Sequence, residues 1–406
     1  MACAVERIFL LDYTCVHPFG HNAPSLQIFG EYLSGIAPVT ILVPVTFGGE
    51  FGGFQKCLAS PLRGYFKLNR AIHVAGQRIS TENLYRAAFK IRNRLERRIK
   101  GREVVEVEVL RNVAELDHRF QFTASDLLVL PSSDMYGPRG LISYFESLPP
   151  ARRPRLHFRL IGVMETHSYS YATPLDELIA SVRHGRDCGL QVQLSCETPA
   201  YLSLIRAHIW DAFLFPYPLR QLGAGRPDRE QLTIAFPGQG RIDKGYDRIC
   251  NIARLVRERG RNVRWLVHSM RATDRHYSAA YQDRLTSEPS IEVTKADLST
   301  AEMSAFYERA DFSVLPYAPD TYRLRGSAVL QEALAHGHLC VVPAGTGIAS
   351  MAEVVGNGIC ADSDEDFAAC IVELTDMPWM ERRARVAAAQ QRYDRLVLDC
   401  MARIFA

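Results

Sequence analysis

Phe236-Pro-Gly-Gln-Gly-Arg-Ile-Asp-Lys-Gly245 decides how the second half of this chain is read. An apolar segment ends at Phe236 and runs into a glycine-bearing loop that carries two cations, Arg241 and Lys244. Further on stands Tyr322-Arg-Leu-Arg-Gly-Ser-Ala-Val-Leu-Gln-Glu-Ala-Leu-Ala-His-Gly337, a glycine–serine turn opening a helical pattern with one acid, Glu332, among apolar residues. Glycines free backbone N–H groups, paired cations neutralise charge, and a helix N-terminus is electropositive. Together these are the parts of a diphosphate site. An acid a turn into the helix is placed to hold sugar hydroxyls, so the pair of segments points to nucleotide-sugar chemistry.

Around these segments, strand and helix patterns alternate almost from end to end. In the first half, strands are expected at Arg7–Leu11, Val39–Val45, Val104–Val109, Asp126–Pro131, Leu156–Gly162, Gln191–Cys196 and Ala212–Phe215. Helices are expected between them, including Ser25–Leu33, Glu82–Lys100, Leu141–Leu148, Leu175–His184 and Tyr201–Ala207. The polar, aperiodic run Arg220–Arg229 then reads as a linker. Alternation restarts with strands at Leu232–Phe236, Arg264–His268, Ile291–Val293, Phe312–Pro316 and Leu339–Val342. Short β-rich strands separated by amphipathic helices argue for α/β architecture with parallel sheets covered on both faces. The expected organisation is an N-terminal Rossmann-like domain over 1–220, a linker over 221–230, a second over 231–380, and a basic amphipathic helix over 381–406 able to pack back on the first. Two doubly wound domains of this kind bind at the carboxyl ends of their strands, in a cleft.

At 406 residues the chain is too long for one ordinary domain. Apolar content of 47% with 23% charged residues is that of a well-cored chain, and no apolar run reaches the roughly 18 residues a membrane span needs. The N-terminus enters a strand without a leader pattern, so a cytoplasmic location is expected. A net charge of +3 argues against a general nucleic-acid binder. The ten cysteines are scattered singly, which suits small buried hydrophobes in a reducing compartment. No histidine–cysteine cluster shows metal spacing, so neither a metal nor a separate cofactor is expected.

Other glycine-loop chemistries fail on the residues. A dinucleotide fingerprint needs a third glycine where Asp243 stands, and a Walker loop needs Gly-Lys where the order is Lys244-Gly245. There is no Gly-x-Ser-x-Gly elbow for a hydrolase nucleophile.

Gly240-Arg-Ile-Asp-Lys-Gly245 resembles the Gly-Arg…Lys-Gly element of GT-B glycosyltransferases, particularly the GT4 or "glycosyl transferases group 1" family. Leu315-Pro-Tyr317, Gly326–Gly337, Cys340-Val-Val-Pro343, Gly345-Thr-Gly-Ile348 and Glu353-Val-Val-Gly356 resemble that family's donor-site helix and closing turn. The likeness covers roughly Thr233–Asp362; the N-terminal half matches in architecture only. The resemblance implies transfer of a sugar from a nucleotide diphosphate to an acceptor hydroxyl, with retention and without a required metal ion. It implies diphosphate contacts from Gly240, Arg241 and Lys244, N–H groups from Gly326, Ser327 and Ala328, and a ribose anchor at Glu332. The family's first acid is replaced by Leu324, with Asp320 and Tyr322 as candidate substitutes. By family analogy the acceptor is a surface polysaccharide or lipopolysaccharide precursor. A nucleotide-sugar epimerase of the same fold and a non-catalytic nucleotide-sugar-binding scaffold are the alternatives.

The acceptor side rests on three loops. Gly20, His21 and Asn22 follow the first strand and precede a helix that Pro24 can start. Glu165 and His167 form a polar cluster after the strand ending at Gly162 and are catalytic candidates. Asp134 and Tyr136 follow another strand. The helix expected at Glu82–Lys100 carries seven cations beside an apolar stripe, Leu84, Ala88, Ile91, Leu95 and Ile99. It is expected to be either a surface helix on its own sheet or a peripheral contact with anionic lipid at the inner membrane face.

Overall fold

The computed structural model describes residues 5–12, 15, 22–44, 47–51, 55–59, 71–74, 77–80, 91, 94–95, 98–99, 101, 104–133, 136–161, 175–223, 230–272 and 277–405. The chain divides into two compact units. One comprises Met1–Cys196, Leu204–Leu214 and Met401–Ala406; the other comprises Glu197–Ser203 and Phe215–Cys400.

The first unit is built on a seven-stranded sheet ordered β3-β2-β1-β6-β7-β8-β9. Its strands are β1 Arg7–Leu11, β2 Val39–Pro44, β3 Gln55–Ala59, β6 Asp126–Ser133, β7 Arg155–Leu160, β8 Val192–Cys196 and β9 Phe213–Leu214. All the pairings are parallel. A separate antiparallel hairpin joins β4 Ala71–Val74 to β5 Gln77–Ser80. Every residue of β6 is buried, as a central parallel strand covered on both faces requires. Phe9, Phe122 and Phe145 stack edge to face beneath it, with ring centroids 4.9 and 5.8 Å apart.

One expected strand is a helix. Val104-Val-Glu-Val-Glu-Val109 alternates with the period of a strand, yet Val104–Phe120 is helical. The wider pattern wins: Val109, Val113 and Leu116, spaced by four and three, are all buried and form one helical stripe. Asp117 near its end accepts from the Tyr144 hydroxyl at 2.8 Å, the Arg152 guanidinium at 2.8 Å and the Phe122 N–H at 3.0 Å.

The second unit holds a six-stranded parallel sheet ordered β12-β11-β10-β13-β14-β15. Its strands are β10 Thr233–Phe236, β11 Arg264–Val267, β12 Ile291–Val293, β13 Phe312–Val314, β14 Cys340–Pro343 and β15 Gly358–Ala361. Counted from β10, the order is 3-2-1-4-5-6, that of a doubly wound nucleotide-binding sheet, and the winding reverses between β10 and β13. Its core packs Ile234, Phe236, Trp265 and Val341 against Ile252, Val256, Phe367 and Ile371. Ser299 and Ser363 each close a capping box, with Glu302 and Asp366, so those two helices start where the sequence places a serine three residues before an acid. The short edge strands β3 and β15 carry no alternation strong enough to be expected from sequence.

The long continuous segment of the second unit begins at Phe215, ahead of the expected linker at 221–230. Residues 217–223 already pack within it. Tyr393 Oη donates to the Tyr217 carbonyl, Leu222 N–H to Ala335 O at 2.8 Å, and Gln390 Nε2 to Gly223 O at 2.8 Å. The long helix Trp379–Arg403 lies in this unit as far as Cys400. The residues beyond belong to the first, where Arg155 Nη2 donates to Phe405 O at 2.9 Å and the Arg403 guanidinium lies 4.7 Å over the Phe213 ring.

Candidate active site

The reversal point of the second sheet gathers both decisive segments. After β10 the chain turns through Gly238 at φ +78° and Gly240, whose N–H donates to Ser269 O at 3.1 Å. It then forms two successive 3-10 turns, Ile242–Lys244 and Tyr246–Arg248, before the helix Ile249–Glu258. Gly245 joins the two turns at φ +77°, and a Cβ there would stand 2.1 Å from the Pro316 carbonyl oxygen. Only glycine satisfies both the dihedral and the contact. Ala318 N–H to Asp243 O at 3.0 Å and Arg248 Nη1 to Pro316 O at 3.0 Å lock this loop to the segment that follows β13.

Lys244 is folded back over the glycine loop. A Cβ on Gly238 would lie 2.8 Å from Lys244 Nζ and 3.0 Å from Val329 Cγ2, so one missing side chain brings the ammonium beside the start of the helix Ala328–Ala335. The Tyr317 ring lies 5.6 Å from Nζ. Desolvation, with the Arg241 charge adding to it, lowers the Lys244 pKa to about 8. Arg241 is held in a fork by Asp243, Nε to Oδ1 at 2.8 Å and Nη2 to Oδ2, with Nη2 also donating to Tyr322 Oη at 3.3 Å. Burial acts to lower the Arg241 pKa, but the Asp243 hydrogen bond and neighbouring charges outweigh it and the net direction is upward. Burial likewise opposes ionisation of Asp243, and the Arg241 pairing more than offsets this, holding the carboxyl below its usual range.

Ser327 stands at the N-cap of the helix Ala328–Ala335 with extended backbone, but its side chain makes no cap hydrogen bond. The serines at 299 and 363 and Thr346 do cap their helices. The first-turn N–H groups at Ala328 and Val329 are therefore left for a ligand rather than claimed by a side chain. Glu332 follows one turn on. Tyr307 Oη donates to its Oε2 at 3.2 Å, while burial, against the pull of Tyr307 and Lys244, raises its carboxyl pKa. Tyr307 is itself fixed by stacking on His336, centroids 4.7 Å apart, and by His338 Nε2 at 3.0 Å from its carbonyl. Gly347 closes the site: a Cβ there would meet Leu324 and Arg325 backbone atoms within 2.7 Å.

The structure thus brings Gly240, Arg241, Lys244, Gly326, Ser327, Ala328 and Glu332 to one end of one sheet. Asn22 lies in the first unit, where its Nδ2 donates to buried Asp12 Oδ2 at 3.2 Å beyond β1. Gly20, His21, Glu165, His167 and Asp134 lie outside the described residues, as does most of the segment 82–100.

Sequence reasoning missed Glu197. Its Oε1 accepts the Gly326 N–H at 2.9 Å, and the neighbouring Thr198 hydroxyl donates to the Leu324 carbonyl at 2.7 Å. A carboxylate therefore reaches the turn where residue 324 offers only a buried leucine. The one signal was Glu197-Thr-Pro directly after a strand, a polar cluster at a strand's carboxyl end.

Two parallel, doubly wound sheets with a diphosphate-type loop at the reversal point of the second define the GT-B glycosyltransferase fold. Residues 231–377 match the family described as "Glycosyl transferases group 1". Solved structures agree with the fold across both units. The sucrose-phosphate synthase of Thermosynechococcus elongatus is 11% identical, with 98% of this chain and 96% of that one covered at a TM-score of 0.62. An α,α-trehalose-phosphate synthase (UDP-forming) from Burkholderia xenovorans, in complex with glucose-6-phosphate, is 14% identical, covering 99% and 100% at 0.60. Anabaena HepE, in complex with UDP and glucose, is 12% identical, covering 98% of each chain at 0.55. No curated protein sequence matches the chain.

Proposed function

We propose that the chain is a glycosyltransferase of the GT4 kind that takes its sugar from a nucleotide diphosphate and passes it to an acceptor hydroxyl with retention of configuration. The observation that carries this is Lys244 Nζ, held beside Gly238 and Val329 at the uncapped start of the helix that bears Glu332. When the bond from the sugar's anomeric carbon to the phosphate oxygen breaks, its electron pair goes to the β-phosphate. Lys244, Arg241 and the N–H groups at Gly326–Ala328 are the charge-stabilising groups, a role in which one well-placed donor is worth about 2.7–4 kcal/mol. The acceptor oxygen bonds to the anomeric carbon, and its proton passes to the departing phosphate oxygen. Glu332 holds the ribose hydroxyls. Gly20, His21, Asn22, Glu165 and His167 are assigned to the acceptor side. With Lys244 and the helix end supplying positive charge, the reaction needs no divalent ion.

Neighbours of this fold complexed with UDP and glucose, or with glucose-6-phosphate, support a nucleotide-sugar donor and a sugar-containing acceptor. We assign the acceptor to the polysaccharide or lipid-linked glycan class and the location to the cytoplasm. No helix among the described residues is long and apolar enough to cross a membrane. Ile91, Leu95 and Ile99 recur every four residues and are all exposed, which supports a peripheral membrane contact through 82–100. Liposomes containing anionic lipid should pull the protein down at low salt and release it at high salt; absence of binding at low salt sinks that part.

The central test is a thermal-shift screen against UDP-, GDP-, dTDP- and ADP-sugars, in which the donor raises the melting temperature. Product analysis with and without acceptor follows. Transfer only with acceptor supports the proposal; an altered sugar formed from donor alone makes the protein an epimerase; binding without turnover makes it a scaffold.

A further inference from the structure

We infer that the first unit carries a zinc site formed by Glu146, His184 and Cys188, independent of the glycosyl-transfer site. His184 Nε2 lies 3.5 Å from Glu146 Oε2 and 3.7 Å from Cys188 Sγ, and the three ligand atoms all lie within 4.8 Å of one another. For a tetrahedral zinc ion with ordinary bond lengths, the nitrogen–oxygen and nitrogen–sulfur edges are about 3.4 and about 3.6 Å. The imidazole nitrogen therefore already stands at tetrahedral-edge distance from both other ligand atoms.

Each ligand sits at the end of a helix. Glu146 continues the last turn of Tyr136–Phe145, its N–H bonded to Ile142 O at 2.9 Å. His184 lies in the last turn of Leu175–Asp187, and Cys188 follows it, with its N–H on His184 O at 2.9 Å. One guanidinium sets the spacing of these two ends. Arg153 donates to Glu146 O at 2.9 Å, Leu148 O at 2.7 Å and Cys188 O at 2.5 Å. The backbone of the site is thus tied in place, and two helix C-termini turn their electronegative ends towards it. Glu146 Oε2 is buried and accepts no hydrogen bond among the described residues, so a lone pair is aimed into the cluster without a donor. His184 is largely exposed, which leaves a way in.

The donor set names the ion. A thiolate, an imidazole and a single carboxylate suit zinc, whereas magnesium and calcium select all-oxygen shells. Three protein ligands leave the fourth position to water. Bound there, the ion would cross-link two helices of the first unit. Sequence spacing alone hides the site: His184 and Cys188 are one helical turn apart, but their third partner comes from another helix.

The test uses the intact protein and Zn(II) in competition with a chromophoric chelator, alongside iodoacetamide labelling of Cys188 followed by peptide mass spectrometry. One equivalent should bind, about tenfold or more weakly in His184→Ala and in Cys188→Ala, and Zn(II) but not Mg(II) should slow alkylation of Cys188. Zinc should also raise the melting temperature of the wild type and not of the variants. Circular dichroism of each variant separates loss of the site from loss of the fold, with Glu146→Gln as a near-isosteric alternative. Absence of stoichiometric zinc, equal binding by the His184/Cys188 double variant, or unchanged Cys188 labelling would each overturn the inference.

Discussion

Beyond β1, at the reversal point of the first sheet, stand Asp12 and Asn22, an acid and an amide joined at 3.2 Å. At the matching point of the second sheet stand a glycine loop, Arg241, Lys244 and the uncapped start of a helix. The strand order on either side is the same, counted outward from β1 and from β10. The difference teaches that winding supplies a place, and that the side chains at that place decide what it holds. The charges at the second point suit an anion, whereas the Asp12–Asn22 pair at the first offers hydrogen-bonding groups.

The largest expected effect tests that division directly. Lys244→Ala should lower turnover by about a hundredfold or more, the loss of one preorganised charge donor. Asn22→Ala should cost less than about tenfold, as loss of a single hydrogen bond. Steady-state kinetics with the donor found by thermal shift will check both. If Asn22→Ala costs as much as Lys244→Ala, the separation of roles between the two points fails.

The same contrast explains what could be read from sequence. The glycine loop with its two cations was legible because its parts are contiguous: Arg241 directly follows Gly240, Lys244 directly precedes Gly245, and Gly238 and Gly245 take dihedrals that favour glycine. The alternation of elements gave the parallel sheets, since buried strands are nearly all apolar. Val104–Val109 misled because a short stretch of strand period was outvoted by a helical stripe running on to Leu116. Glu197 was missed for another reason. Its partner, the Gly326 N–H, is remote in sequence, and the polar cluster after its strand does not say which distant turn the carboxylate meets. Nor did the sequence show that Arg241 would be held by Asp243, two residues away, before any ligand arrives.

The second prediction concerns the backbone that shapes the cationic point. Gly245→Ala should destabilise the protein by at least about 2 kcal/mol, because a left-handed dihedral and a backbone clash act together. Gly260 has the same φ of +77° but nothing within 4 Å of its missing Cβ. Gly260→Ala should therefore cost only about 1 kcal/mol. Chemical denaturation of both variants checks the difference, which isolates the contact with the Pro316 carbonyl. Equal losses would mean that the dihedral alone matters and that the loop is not pinned to the segment after β13.

A third prediction uses charge. Desolvation and Arg241 favour neutral Lys244, with its pKa lowered to about 8 in the free protein. The diphosphate needs the protonated form. Donor affinity should accordingly be full below that pH and fall as pH rises through it, by about tenfold at roughly pH 9 relative to roughly pH 7. Calorimetric titration at several pH values will show it. Lys244→Arg should flatten the profile over this range, because a guanidinium does not titrate there. A profile unchanged in that variant would place the titrating group elsewhere.

The smallest expected effect bears on Glu197, an acid that reaches the cationic point from a segment remote in sequence. Glu197 Oε1 takes the Gly326 N–H, a donor that the proposed reaction assigns to phosphate. A carboxylate in that position both occupies a donor and repels a dianion. Glu197→Ala should then tighten binding of the free nucleotide diphosphate by roughly threefold to tenfold, the worth of one hydrogen bond regained. If the carboxylate instead turns to hold the sugar, in place of the acid absent at Leu324, the same variant should weaken the intact donor while leaving the diphosphate tighter. Measuring both ligands separates the two roles. Weaker binding of the diphosphate itself would break the comparison from the other side, since the second point would then depend on an acid where its geometry offers positive charge.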